Sequence, residues 1–446
     1  MGKREIYVER IAEMAYIKIA NLGPIDSCDM EINDFTVLTG QQASGKSTFA
    51  KCVYFFRTIK DDILDVALRY HNSLFKMSLA PAVYSKLENK FLQIFGIPSA
   101  LDKNMKLEYW YENGTFVKIR LTGDDVKTNI SSKSVKITFS ADIENYISRI
   151  SENVSTKENL KFELNNLFHD QYDSIFIPAG RSLITILTSQ LNYLFASMDD
   201  DQKRSIDYCT QKYIEYILKI KPMFSEGLVG LAHNKFYEVN NGYDSMVEYI
   251  KIEKKMEILI SRVLKGNYVF ENGEERLYLP DDENNADKYV KINFASSGQQ
   301  ETVWLFNILF YLMINRTKAY IILEEPEAHL YPDAQNEISK ILALMTNCGC
   351  QFLITTHSRY ILGALNNLIY ADYVASKTEN KDAVEELVAT DFRIKNCTAY
   401  KVQNGQLESC IEDTPERLII NEVIDGASID INNLYNSLFD IEMDGE

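Results

Sequence analysis

Apolar positions along this chain repeat with two different periods, and each change of period marks an element. Three short runs rich in apolar and β-branched residues, at 15–20, 28–32 and 36–38, are separated by Asn21-Leu22-Gly23-Pro24 and by Asn33-Asp34, which predicts a meander of three strands. The period then lengthens. Phe49, Ala50, Cys52, Val53, Phe55 and Ile59 share one broad face at helical spacing, so a helix is expected to run past Leu64. Between 65 and 170, helical material around 84–94 gives way to strands at 106–111 and 116–121 joined through Glu112-Asn113-Gly114, a hairpin signal. A strand at 134–139 and helix over 143–168 follow. A short apolar strand at 174–178 stops at Ala179-Gly180-Arg181, where Arg181 either reaches a nucleotide or subunit contact or is a surface arginine after a turn. Residues 182–265 read as long helices with breaks near 197–202, 222–230 and 240–243. A second Asn-Gly hairpin at 267–270 and 275–279, a polar loop at 280–287 and a strand at 290–294 lead to an apolar helix at 303–314. Two buried strands, 319–323 and 351–355, complete the pattern.

The candidate chemistry sits where these apolar runs end. After the strand containing Phe35, Val37 and Leu38, the stretch Gly40-Gln41-Gln42-Ala43-Ser44-Gly45-Lys46-Ser47 fits G-x-x-x-x-G-K-[ST] at every fixed position. The glycines let successive backbone N–H groups turn inward on a phosphate at the positive end of the next helix. Lys46 then neutralises the outer phosphates, and the Ser47 hydroxyl is placed for Mg²⁺. Ala295-Ser296-Ser297-Gly298-Gln299-Gln300-Glu301 opens the helix at 303–314 and offers small residues and free amides as an anion site; Ser297 with Gln300 also reads as an N-cap. The strand at 319–323 ends in Glu324-Glu325-Pro326-Glu327-Ala328-His329-Leu330, carboxylates placed to hold Mg²⁺ and activate water. His357 follows the strand at 351–355, within hydrogen-bonding reach of a terminal phosphate.

Composition changes this picture in three ways. The 446 residues, 46% hydrophobic and 25% charged, suit a globular chain of two or three lobes. No run of about 18 apolar residues occurs, and charges interrupt the first ten positions, so a cytoplasmic protein without a membrane span is expected. The seven scattered cysteines read as reduced thiols, and a net charge of −17 limits any nucleic-acid contact to a local patch or a partner. The lysines and arginines at Lys203, Arg204, Lys212, Lys219, Lys221, Lys251, Lys254, Lys255, Arg262 and Lys265 alternate with acidic neighbours and read as a solvated helix face.

GQQASGKS, SSGQQE, IILEEPEAHLYP and ITTHS stand in the order that ATP-binding-cassette heads require, and as a set they resemble the ABC-type ATPases of the SMC, RecF and OLD class. The EEPEAHLYP and SSGQQ variants look closest to OLD-like ATPases, often filed under the AAA label, of anti-phage systems such as Septu and PARIS. The resemblance implies an α/β fold: a P-loop NTPase of the ABC-ATPase head type with a mixed β-sheet core, an antiparallel β subdomain and a helical lobe. It divides the chain into a discontinuous head (1–64, 171–181 and 266–446), an α+β insertion (65–170) and a helical lobe (182–265). Gly40, Gln41, Gln42, Ala43, Ser44, Gly45, Lys46, Ser47 and Thr48 are then expected at the phosphates of ATP, with Ser47 and Glu324 on Mg²⁺, Glu325 as catalytic base and His357 as switch histidine. Ser296, Ser297, Gly298 and Gln299 would act on a partner subunit's nucleotide.

The loop has Gln41-Gln42-Ala43 where Pro-Asn-Gly is more usual in such proteins, the metal carboxylate is Glu rather than Asp, and Arg359 stands where Pro is common. Many OLD nucleases carry a Toprim domain; past His357 the nearest candidate for its D-x-D, Asp430-Ile431-Asn432, lacks the second Asp, so no nuclease is expected in this chain. The expected function is a slow, ATP-hydrolysing dimeric switch that regulates a separate effector protein, with a RecF-like or SMC-like DNA-repair clamp as the alternative and nucleic-acid binding weak without a partner. A transporter subunit fits least well, because EEPEAHL and the large inserts do not look like one.

Overall fold

The computed structural model describes residues 14–71, 79–122, 134–150, 156–187, 206–238, 243–279, 288–420 and 423–424. The sequence expectations for 197–202, 240–242, 280–287 and Asp430-Ile431-Asn432 lie outside those residues. In chain order, β1 (Tyr16–Leu22) and β2 (Ile25–Glu31) form a hairpin, and β3 (Phe35–Thr39) leads into α1 (Lys46–Arg57), α2 (Ile59–His71) and α3 (Leu79–Phe95). Next come β4 (Lys106–Trp110), β5 (Phe116–Thr122), β6 (Ser134–Phe139), α4 (Ala141–Arg149), α5 (Lys157–Leu167) and β7 (Asp173–Ile177). Three helices, α6 (Tyr208–Ile220), α7 (Gly227–Glu238) and α8 (Tyr243–Leu264), precede β8 (Asn267–Glu271), β9 (Glu274–Tyr278) and β10 (Tyr289–Lys291). Then follow α9 (Ser297–Ile314), β11 (Ala319–Glu324), α10 (Pro332–Asn347), β12 (Gln351–Thr356), α11 (Arg359–Lys377), β13 (Thr398–Gln403) and β14 (Gln406–Ser409).

The central sheet has the order β14-β13-β3-β12-β11-β7, with every pair parallel except the edge hairpin of β13 and β14. Its inner strands β3, β12 and β11 are buried on both sides because both sides are covered. Phe35, Val37, Ile175, Ile177, Ile321, Leu323, Phe352 and Ile354 belong to a core shared with α6, α8, α9, α10 and α11. Their alternate neighbours Leu38, Phe176, Tyr320, Ile322 and Leu353 belong to the other core, with α1 and the antiparallel sheet β2-β1-β4-β5-β6. Helix α1 therefore lies between two sheets, which is why Phe49, Ala50, Cys52, Val53, Phe55 and Phe56 are all fully buried.

The structure differs from the sequence expectation in three places. The first three strands are not one meander, since β3 leaves the β1–β2 hairpin and pairs in parallel with β12 and β13. A run buried on both faces cannot stay in a sheet whose outer face meets water. The segment 65–170 is joined to the first strands: β4 pairs with β1 over Tyr16–Ala20, so β4, β5 and β6 enlarge the sheet that covers α1. Lys221 is not on a solvated face; it is buried and donates to Glu275 Oε2 at 2.7 Å. Glu275 also accepts from Tyr268 and from Trp304 Nε1, which fixes α9 against the small β10-β9-β8 sheet. Both Asn-Gly hairpins form as expected.

The fold-level prediction concerns the helix between the sheets. Phe55 packs edge-on against Phe56, Phe91 and Phe95 with ring centroids 5.4, 5.7 and 6.5 Å away. Phe55→Ala is expected to lower unfolding stability by about 3–5 kcal/mol, read from the urea midpoint at unchanged slope.

Candidate functional site

The loop after β3 takes its shape from glycines. Gly45 has φ +111, in the left-handed region open mainly to glycine, and a Cβ on Gly40 would lie 2.3 Å from the carbonyl oxygen of Val402 on β13. Gly45 is the N-cap of α1 and offers no side-chain cap, so the first amides of that helix are available to an anion. Gln41, Gln42 and Ala43 are exposed at the loop tip, Ser44 and Thr48 are half-buried, and Ser47 is exposed at the helix start. Lys46 is turned into the loop and donates to the carbonyls of Gly40 at 2.9 Å and Gln41 at 2.8 Å. Burial lowers its pKa from the ordinary lysine value, against the raising pull of Glu325 and Glu327.

Those carboxylates arrive from β11, two strands away. Glu324 is buried; its Oε2 accepts from Ala179 N at 3.3 Å, and Oε1 is buried without a hydrogen-bond partner. Desolvation raises its pKa, opposed by the neighbouring Ser47 hydroxyl, the Ala179 N–H and the charge of Lys51. A buried carboxylate oxygen without a partner beside a serine hydroxyl fits Mg²⁺, which takes oxygen ligands and would offset the desolvation. Glu325 follows with φ +44, a strained conformation for a residue with a side chain, and its N–H is held by Thr355 O at 2.8 Å. Its Oε1 lies 3.3 Å from His357 Nε2, so the two residues expected to act on attacking water and phosphate are brought together. Glu327 joins their strands: its Oε1 accepts from Thr356 Oγ1 at 2.8 Å and from His357 N at 2.7 Å.

The anion loop before α9 lies elsewhere. Ser296, Ser297, Gly298 and Gln299 line a separate cleft of about 840 Å³ with His329, Leu330 and others, and no phosphate-loop residue is in its wall. The cap is one residue earlier than the sequence suggested. Ser296, not Ser297, caps the helix, with Gln299 completing the capping box; Gln300 instead donates to the carbonyls of Ile292 and Asn293. Gln299 Nε2 also donates to Leu264 O at 2.7 Å, so that side chain is used within its own chain. A Cβ on Gly298 would sit 2.8 Å from His329 O, so this glycine is needed by the chain's own packing; Ser297 is exposed.

Arg181 is neither a surface arginine nor a group facing a nucleotide or another subunit. It is fully buried within its own chain and paired with Glu301. Sequence reasoning placed Glu327 only among the carboxylates of the acidic turn and gave Glu301 no role of its own, because the sequence does not declare that Glu301 is buried or that Glu327 reaches the end of β12. It also missed a cleft of about 580 Å³ bordering the loop, lined by Gly23, Asp26, Ser47, Thr48, Phe95 and Leu101 among others. Arg359 occupies the first position of α11, after the cap Ser358, where proline is favoured for its fixed φ; the departure from Pro there costs no catalytic group.

A family model described as an AAA ATPase domain matches residues 93–362, more than half of the chain. The chain belongs to this AAA ATPase family. The match takes in the α9 loop, the β11 carboxylates and His357, and begins after the phosphate loop. The fold is that of an α/β P-loop ATPase with a mostly parallel core sheet and a separate antiparallel sheet. Among solved structures, the chain is similar to "SmcHead bound to the C-winged helix domain of ScpA" (10% identity, 89% of this chain and 96% of that one, TM-score 0.40). It is also similar to an SMC head domain from Thermotoga maritima (9%, 90% and 100%, TM-score 0.35). An Smc head with an extended coiled coil, bound to the C-terminal domain of ScpA derived from Pyrococcus furiosus, gives 13%, 89% and 95%, TM-score 0.35. Comparison with curated proteins gives no match.

Lys46→Ala removes the ammonium that the loop holds between Gly40 and Gln41. It is expected to abolish nucleotide binding in a fluorescent-ATP titration while leaving the thermal unfolding midpoint near that of wild type.

Proposed function

We propose that the protein is an Mg²⁺-dependent, slow ATP-hydrolysing switch that works as a dimer of heads and regulates a separate effector, a nuclease or toxin, in anti-phage defence. In this reading Gly45, Lys46, Ser47 and Thr48 hold the phosphates, Ser47 and Glu324 hold Mg²⁺, which neutralises phosphate charge when bound, Glu325 takes a proton from the attacking water and His357 senses the terminal phosphate. The discontinuous head carries this chemistry, and 65–170 and 182–265 are its accessory parts. The observation that carries the reading is the contact of Glu325 with His357 at 3.3 Å, at the ends of the two strands that follow the phosphate-loop strand in the sheet. Exposed Ser297 in a different cleft supports action across a subunit boundary. The OLD-like assignment, close to Septu or PARIS, rests on the SSGQQE and EEPEAHLYP stretches. Among the described residues no helix is long and apolar enough to cross a membrane, and we place the protein in the cytoplasm.

Glu325→Gln keeps the side chain's shape but removes the base. ATP is expected to bind and persist, with kcat reduced by about 10²-fold or more. Wild-type turnover in this variant would mean that Glu325 is not the base.

The shared site has its own test. Ser297→Arg places a long cation on an exposed position and spares the packing that Gly298 needs, so it is expected to bind ATP without dimerising or hydrolysing it. Mixed with Lys46→Ala, it leaves one intact composite site per heterodimer, and part of the activity should return. Dead heterodimers would rule out the sandwich. Under the DNA-clamp alternative, the purified chain would instead bind duplex DNA in a salt-sensitive, ATP-strengthened way, which a net charge of −17 opposes.

A further inference from the structure

Arg181 ends the turn after β7, and its guanidinium donates through four of its five N–H groups. Nε meets Glu301 O at 2.9 Å, Nη1 meets Pro178 O at 2.9 Å and Glu324 O at 2.7 Å, and Nη2 meets Glu325 O at 3.0 Å. The contacts are reciprocal. The buried Glu301 carboxylate accepts from the backbone N–H of Arg181 and of Ser182, each at 3.0 Å, and lies 3.3 Å from Arg181 Nε. One planar fork thus joins three segments distant in sequence: the turn whose Ala179 N–H holds Glu324, the end of β11 with both carboxylates, and α9.

The choice of an ion pair here has a cost that an apolar contact would avoid. Burying two charges is unfavourable unless their hydrogen bonds are complete, and packed apolar residues would hold the same segments as well or better. What apolar residues cannot do is fix carbonyl oxygens in position. Glu325 needs that, because its left-handed backbone is strained and is held on one side by Thr355 O and on the other by Arg181. Without the fork, Glu325 can relax to negative φ and carry its carboxylate away from His357.

We propose that Arg181 and Glu301 are a positioning pair that makes the start of α9 and the Glu324–Glu325 end of β11 one mechanical unit, so that contact at Ser297 is felt at the catalytic carboxylate. The inference rests on the ATPase reading above. Neither residue touches nucleotide in this scheme; both act through Glu325.

The test compares full-length wild type, Arg181→Lys and Glu301→Gln by steady-state ATP hydrolysis, fluorescent-ATP binding and thermal unfolding. Lysine keeps the charge but loses the planar fork, and glutamine keeps shape and one acceptor. In both variants kcat is expected to fall by about 10–100-fold, with KM and nucleotide affinity within about twofold of wild type, since a misplaced catalytic group costs rate rather than binding. Arg181→Lys combined with Glu325→Gln should be no slower than Glu325→Gln alone, because the two changes remove the same function. A folded Arg181→Lys with wild-type kcat, a loss confined to KM, or an additive double variant would overturn the proposal. If Arg181→Lys does not fold, Glu301→Gln decides by the same criteria, and failure of both to fold would make the pair structural only. A wild-type chain that hydrolyses no ATP would instead remove the functional reading itself, an outcome distinct from active variants beside an active wild type.

Discussion

The central parallel sheet has to be covered on both faces, and most of the molecule follows from that constraint. Within each of its inner strands, neighbouring residues are dealt alternately to two cores: Ile321 and Leu323 to the helical side, Tyr320 and Ile322 to the side of α1. Both faces are mostly apolar, and Arg57, buried over the Tyr320 ring, is paired with Asp170. The candidate chemistry stands at the carboxyl ends of the strands, where the chain leaves the sheet into loops. The phosphate loop, Glu324, Glu325 and His357 all stand at such ends, on β3, β11 and β12, which are adjacent. Their convergence is a consequence of burial and strand order more than of any contact among them.

Strand ends alone would leave these groups loosely placed, and the local backbone shows how they are held. Ala43, Glu325 and His329 take left-handed conformations without being glycine. Such conformations persist only when neighbouring hydrogen bonds determine them, and here those bonds come from other elements. Thr355 holds Glu325 from β12, Arg181 holds it from the turn after β7, and Glu327 ties the end of β12 back to the turn after β11. The carboxylate-bearing turn after β11 is therefore braced from the elements on both sides of it. Groups braced in this way need little rearrangement as charge develops.

Much of this was legible in the sequence, and what was not has a common cause. G-x-x-x-x-G-K-S, the acidic turn and the histidine-tipped strand are local patterns tied to strand ends, and the residues Gly40–Ser47, Glu324, Glu325 and His357 could be picked out without a structure. Sheet membership could not. Phe35, Val37 and Leu38 look like the third strand of a meander until β12 and β13, more than 300 residues later, supply its partners. Burial of charged residues was equally hidden. Lys221 belongs to a cluster of lysines that reads as solvated in the sequence, Arg181 follows an ordinary Gly turn, and Glu301 is the last letter of a polar run, yet all three are buried and paired. The capping box shifted by one residue because Ser296 and Ser297 both satisfy the pattern and only the path of the chain into α9 selects between them.

The division between fixed and open groups bears on why two copies would be needed. Gly298 packs closely against His329 and Gln299 bonds to Leu264, so the start of α9 is held within its own chain, yet Ser297 is exposed in a cleft that contains none of the phosphate loop's residues. Two surfaces held in this way on one chain cannot close on the same ligand without breaking the packing between them. A second copy related by a two-fold axis solves this without internal rearrangement, since each surface then meets its complement on the other chain. Under the proposed function, binding energy from nucleotide would go into bringing two preformed faces together, and a group that spans both, such as the Arg181–Glu301 pair between α9 and β11, would carry that contact to Glu325, the proposed base.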